Sequence, residues 1–351
     1  LAVRGQSSIV RARSGVKLAA VGAAEGLTAD GVFSGGGIKG LAFAGAIAGA
    51  EKAGYRHWHE LAGTSAGAIT AMALAVGYDA KGLRDTLDAF DFERLADYGS
   101  PIHLLGAVTD LIFHESLVRG DELTKWIRQL LDDAPLGGVG ADTTFGELQA
   151  LKPEGQLLVV GTDLAHSRMV VFPQDAALYA DEHGEPLDPG SFPIYRAVRI
   201  SASYPYFFPP VRGLWDRDTG KQGVFVDGGV VSAFPLFVFD KPQPLHPTWG
   251  FHLHSGFDPN EEAPSYREIG GLDWPKEMLE GILDTAMNAL DKFELRRFSS
   301  RVIPIPTGAV STLNFNLSAD EKSYLYESGL KAAEAFFAAA PKPENSYGQE
   351  A

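Results

Sequence analysis

Along this chain, short runs of Val, Leu, Ile and Phe bounded by Gly, Asp or Ser alternate with longer segments whose apolar residues recur three and four positions apart. The first pattern is that of buried strands and the second that of amphipathic helices. It predicts strands over Asp30–Ser34, His59–Gly63, Leu157–Gly161, Met169–Phe172, Val224–Val226, Trp249–His254 and Val302–Ile305. Helices are predicted over Ile38–Ala53, Ser65–Val76, Gly82–Phe90, Glu122–Leu131, Pro193–Ile200, Pro275–Phe298 and Ala319–Ala338. The last opens on Ser318-Ala319-Asp320-Glu321, where Ser at the cap and Glu three residues on can satisfy each other's backbone amides. Strand and helix in alternation predict an α/β protein with a mostly parallel central sheet.

Neither an internal repeat nor a Pro/Gly/Ser linker divides the chain, so residues 29–340 read as one domain. Residues 1–28 form an N-terminal arm carrying Arg4, Arg11, Arg13 and Lys17 with no acid before Glu25, and 341–351 read as a disordered tail. Tyr98–Ser116 and Phe257–Trp274 are irregular; the apolar residues of the first, among them Ile102, Leu104, Ile112 and Phe113, make it a candidate lid. The longest apolar run, Leu41–Ala50, falls short of the ~18–20 residues of a membrane span, and the first residues lack a signal-peptide core. The expected location is cytoplasmic or peripheral at a membrane surface, with secretion left open.

A hydrophobic content of 45% in 351 residues supports a sizeable core. The absence of cysteine excludes disulfides, thiolate zinc sites and a cysteine nucleophile. A net charge of −15 argues against a nucleic-acid partner, whose phosphates demand a basic face.

Two glycine-rich turns carry the candidate chemistry. Gly35-Gly36-Gly37-Ile38-Lys39-Gly40 fits G-x-G-x-x-G between a strand and a helix, the arrangement that cradles a dinucleotide pyrophosphate. That reading wants an acid at the end of the second strand, but Glu60 begins the strand, which ends instead in Gly63-Thr64-Ser65-Ala66-Gly67. This is G-x-S-x-G on a strand-to-helix turn, where a sharp bend lifts a serine hydroxyl above the sheet edge. Adjacent first and second strands would bring both turns to one edge, so the Gly35, Gly36 and Gly37 amides could cradle an oxyanion at Ser65 as readily as a phosphate. For the base, His246, His252 and His254 would fit a Ser-acid-His order. Asp227, ending an apolar strand ahead of Gly228 and Gly229, is the better placed candidate, with Asp163 at another strand end behind it.

Together these blocks resemble the patatin-like phospholipase family, in its order and spacing. Ala202-Ser203-Tyr204-Pro205-Tyr206-Phe207-Phe208-Pro209-Pro210 resembles that family's A-S-x-x-x-x-F-P segment, so the likeness spans about residues 29–240. The departures are Lys39 where arginine is common and Gly229 where alanine is common. The resemblance implies a three-layer α/β/α patatin-like fold and lipid acyl hydrolysis of phospholipase A type by a Ser-Asp dyad, without metal or other cofactor. It implies Ser65 as nucleophile, Asp227 as base and Gly35, Gly36 and Gly37 as oxyanion hole. Lys39, Gly40, Gly63, Gly67, Gly228 and Gly229 are implied as motif support. The partner is then a phospholipid or other acyl-ester lipid at a membrane or micelle surface. Tyr204, Tyr206, Phe207, Phe208 and Phe234–Phe239 are available for an acyl trough, though most read as core. Two other classes are carried alongside: a Rossmann-type oxidoreductase, and an inactive lipid-binding protein on the same scaffold.

Overall fold

The computed structural model describes residues 26–95, 116, 118–254 and 299–339. Its strands are β1 (Leu27–Phe33), β2 (Tyr55–Thr64), β3 (Leu157–Asp163), β4 (Arg168–Phe172), β5 (Tyr179–Ala180), β6 (Trp215–Asp216), β7 (Phe225–Asp227), β8 (Thr248–His254) and β9 (Val302–Pro306). Its α-helices are α1 (Leu41–Lys52), α2 (Ala66–Ala75), α3 (Ala80–Ala89), α4 (Asp121–Asp132), α5 (Phe145–Leu151), α6 (Ile194–Ser201), α7 (Gly229–Ser232) and α8 (Ala319–Ala339).

The main sheet runs in the order β4-β3-β2-β1-β8-β9, and β5 pairs with β6 in a separate ribbon. From β3 to β9 every neighbouring pair is parallel, while β4 and β7 run antiparallel to β3. Side chains alternate between the faces. Ala29, Phe33, Leu61 and Phe251 enter the large core beneath α1, α2 and α3, whereas Val32, Ala62 and Leu158 meet Phe234, Leu236 and Phe239 on the other side. Phe33 anchors the large core, stacked on Phe251 at 4.8 Å and edge-on to Phe43 at 5.4 Å. The fold is α/β, a mostly parallel sheet flanked by helices.

Helices α1 and α8 cross almost in backbone contact. A Cβ at Gly45 would stand 1.9 Å from the Tyr326 carbonyl oxygen, and one at Gly329 would stand 1.9 Å from that of Ala42. Only glycine permits that approach. The capping box at Ser318 is present, with Glu321 N donating to Ser318 Oγ at 3.2 Å and Ser318 N to Glu321 Oε2 at 2.8 Å.

Several boundaries differ from the sequence expectation. Strand β2 begins at Tyr55, because its first residues pair with β1 from Leu27 well ahead of the start of β3; Arg56 and His57 there are exposed and give no strand pattern. The helix after the glycine loop opens with a 3-10 turn at Gly37–Gly40, and the strand expected at Val224–Val226 is Phe225–Asp227. Helix α5 was missed although Thr144 and Glu147 form a capping box; it has only seven residues. The arm before residue 26, the tail after 339, the stretch 96–115, Phe257–Trp274 and the helix expected at Pro275–Phe298 lie outside the described residues.

Candidate active site

The sheet's own register brings the two glycine turns and the aspartate together. Phe33 lies opposite Gly63 and Thr64 opposite Val160, so β1, β2 and β3 deliver their carboxyl ends to one edge. Strand β2 leaves β3 at Thr64. Beyond that point β7 takes over the same edge of β3, since β4 occupies the other, and Asp227 sits opposite Gly161, one residue past the Thr64–Val160 pair. The turn at Ser65 and the end of β7 are thereby neighbours.

Ser65 occupies φ 55 and ψ −124, a conformation that costs a non-glycine residue of order 1–3 kcal/mol. Tight packing enforces it: a Cβ at Gly67 would lie 2.2 Å from the Phe33 carbonyl oxygen, and one at Gly63 would lie 2.2 Å from that of Gly67. The bend aims the first turn of α2, with its unpaired amides, at the same space. Gly40 packs against Ala66, where a Cβ would come within 2.8 Å of the alanine's own.

Asp227 is fully buried. Its Oδ1 accepts the Gly229 amide at 2.8 Å, while Oδ2 is sealed from solvent without a formed hydrogen bond. Burial pushes the carboxyl up to about 7, with the Ser65 hydroxyl and the Gly229 amide pulling against it. The Ser65 hydroxyl is thus near enough to favour the charged form, although no hydrogen bond closes on Oδ2. Gly228 permits this arrangement, since a Cβ there would lie 2.3 Å from the Val160 carbonyl oxygen.

The glycine loop differs in one respect from expectation. The Gly35 amide donates to the Ala233 carbonyl at 2.8 Å and so has no hydrogen to offer an oxyanion. Gly35 instead gives closeness, its missing Cβ lying 3.5 Å from that of Ser65. Gly36 and Gly37 amides have no acceptor among the described residues. Gly37, at φ 56, rests against Thr312, whose carbonyl accepts the Ile38 amide at 3.1 Å. Lys39 is half-buried in the 3-10 turn, its amide returning to Gly36 O at 3.3 Å.

An apolar trough of about 700 Å³, mouth included, opens at Ser65, Ala66 and Gly37. Leu83 and Leu87 of α3, Leu123 and Trp126 of α4, Phe92 and Ile69 form much of its wall, joined by Leu313 and Phe315. Of the aromatics offered by the sequence, Tyr204 and Phe208 line it; Phe207 packs behind on Phe315 at 5.1 Å, and Tyr206 is exposed at φ 64. Phe234 and Phe239 belong to the core on the opposite face. The trough residues of α3 and α4 were legible as apolar stripes, but such a stripe looks the same whether it meets a core or a ligand.

The other candidates fall elsewhere. Asp163 is braced by His166 Nδ1 at 2.7 Å, by the Tyr179 hydroxyl at 2.8 Å and by the amides of Ala165 and Val224 at 3.1 and 3.2 Å. That leaves it no free acceptor for a serine proton. No described histidine bonds to Ser65 or Asp227: His246 packs on His59, and His252 on Phe234. Glu60, the ribose-binding candidate, is held by Lys241 at 2.8 and 2.9 Å and by Gln156 at 3.0 Å, ahead of the strand end where a dinucleotide would need it. Among the described residues the one grouping with metal-ligand spacing, Asp30, His59 and Glu60, lies before the carboxyl ends of β1 and β2 and away from Ser65.

Residues 31–240 match the family model described as Patatin-like phospholipase. The uncharacterized protein YqhO of Bacillus subtilis (strain 168) is 35% identical over 311 residues, covering 88% of this chain and 97% of the relative. The uncharacterized protein R571 of Acanthamoeba polyphaga mimivirus is 24% identical, over 86% of this chain and 90% of its own. Among solved structures, VipD from Legionella pneumophila superposes with a TM-score of 0.52 at 17% identity, over 90% of this chain and 67% of that one. No described helix is long and apolar enough to cross a membrane.

Proposed function

Since the chain belongs to the patatin-like phospholipase family, we propose that it is a serine acyl hydrolase of phospholipase A type, cleaving fatty-acyl esters of phospholipids or similar lipids at a membrane or micelle surface with Ser65 and Asp227. One observation supports this above the rest: a fully buried carboxylate with an unfilled oxygen beside a serine held in a strained strand-to-helix turn.

With its carboxyl near 7, Asp227 is a far better proton acceptor than an ordinary aspartate while still half ionised at neutral pH. It takes the Ser65 proton as the hydroxyl oxygen bonds to the ester carbonyl carbon. The Gly36 and Gly37 amides then stabilise the tetrahedral oxyanion. Collapse breaks the bond to the alcohol, which leaves with the proton from Asp227, and the acyl group stays on Ser65. Water attacks this ester, Asp227 takes its proton and returns it to the serine oxygen as the fatty acid departs. The acyl chain lies in the trough between α3, α4 and Phe315, where burial of its methylenes is worth roughly 0.8 kcal/mol each.

The test is incubation with mixed phospholipid vesicles, read by mass spectrometry for free fatty acid and lysolipid, with a fluorophosphonate to label the nucleophile. Release by wild type, none by Ser65→Ala, and label on Ser65 alone are expected. Undiminished release by a folded Ser65→Ala would refute the assignment.

A further inference from the structure

In the parallel pairing of β2 with β3, every second β2 amide faces β3 and donates one residue behind its partner: Leu61 lies opposite Leu157, and its amide donates to Gln156 O at 2.9 Å. Carried along the register by four residues, the same rule gives the Ser65 amide to Val160 O. That rung cannot close directly, because the bend at Ser65 turns the chain out of the strand. A side chain fills it instead. The Ser201 hydroxyl accepts the Ser65 amide at 2.9 Å and donates to Val160 O at 2.5 Å. Ser201 is fully buried at the last position of α6.

Two residues further on, the Ser203 carbonyl accepts the Asp227 amide at 2.9 Å. Ser203 is itself fastened, its hydroxyl donating to Arg199 O at 2.7 Å and accepting from the Arg199 guanidinium, which also donates to Pro209 O at 3.3 Å. One short turn thus grips the backbone of both Ser65 and Asp227.

We propose that the turn Ser201-Ala202-Ser203 sets the separation of the two reacting groups, with Ser201 as the positioning residue that splints the broken rung. This rests on the Ser65–Asp227 reading above. Ser201 touches neither substrate nor the reacting atoms; it acts through the Ser65 amide. Because no hydrogen bond closes on the Asp227 Oδ2, nothing but the backbones that carry them fixes its separation from the Ser65 hydroxyl. Small displacements matter at such a site, where a misplacement of about 1 Å can lower a rate about a hundredfold.

The experiment measures Ser201→Ala on a soluble short-chain ester beside wild type and Ser65→Ala. Expected are a kcat lower by about 10- to 100-fold, a KM within about threefold, and an equal fall in the rate of fluorophosphonate labelling. Ser201→Thr, which keeps the hydroxyl, should recover most of the loss. If Ser201→Ala does not fold, Ser201→Cys, which fills the same space with a weak acceptor, is read in its place for the same outcomes. A folded variant that melts lower but keeps kcat and labelling within twofold of wild type overturns the proposal and makes the rung merely structural. Retained activity in Ser65→Ala would instead remove the dyad on which the proposal rests.

Discussion

Asp163 and Asp227 lie in two regions a few ångströms of strand apart, and their surroundings are opposite. Both are fully buried, and both belong to the β3–β7 pairing, where Asp163 faces Phe225 and Asp227 faces Gly161. Asp163 has both oxygens occupied and continues through Arg168 to Asp216, whose carboxyl is held down to about 2 because the Thr219 and Arg168 contacts outweigh burial. The Tyr179 hydroxyl in that network is pushed up by burial and by Asp163. Asp227 has one amide donor and an empty oxygen. Burial alone does not make a carboxylate reactive; burial with too few donors does.

Removing the proposed base is the hardest blow to this contrast. Asp227→Asn should lower kcat by about 10³- to 10⁴-fold, little less than Ser65→Ala, and the double variant should be little worse than either. In wild type the rate should fall as pH drops below about 7, because the proposed base Asp227 must be ionised to act. Stability should move the other way. The folded state holds the Asp227 proton more tightly than the unfolded chain, whose aspartate titrates near 3.8, so this group's contribution declines as pH rises from about 4 to about 7 and stays low above. Thermal melts at pH 8 should therefore find Asp227→Asn more stable by about 2–4 kcal/mol. A less stable Asn variant would erase the contrast.

Next in size is the proposed oxyanion cradle. Gly37→Ala puts a Cβ 2.4 Å from the Thr312 carbonyl oxygen at a residue with φ 56, so the loop must shift. Loss of one oxyanion donor lowers kcat by about 10²- to 10³-fold, and steady-state kinetics should find the loss there and not in KM. The braced region should answer in stability only. Asp163→Asn sets an amide group against donors and should cost about 1–3 kcal/mol, while kcat measured well below the melting temperature stays within about threefold. Smallest are the histidines: His246→Ala and His252→Ala should each keep most activity, and a loss near a thousandfold in either, with the fold intact, would point to a triad.

Much of this contrast was visible in sequence, though unevenly. Ser65 and Asp227 could be singled out because one follows and the other ends an apolar strand beside glycines whose absent side chains the local packing demands. The glycine loop was legible as a whole, but the loss of Gly35 as a donor depends on Ala233, far along the chain. Asp163 looked like the next candidate because its brace is assembled from His166, Tyr179 and Val224, which no local pattern links. The C-terminal third carried no weighty motif, yet it supplies Thr312 beneath Gly37, Leu313 and Phe315 in the trough, and two sheet strands. Contributions made through backbone carbonyls and apolar walls leave no signature in residue identity.

The central place of β1 has a consequence for how the protein comes into being. Its two neighbours are β2, made soon after it, and β8, made more than halfway through the rest of the chain, with α8 later still locking α1 from outside. Pairings between distant stretches close slowly, and on the ribosome they wait for synthesis. Until residues past 312 have emerged, Gly37 has no carbonyl to rest on, and Phe33 lacks Phe251 until β8 arrives. An unfinished chain can therefore hold Ser65 and Asp227 without the support beneath the glycine loop, which takes its final place only once the last elements are made.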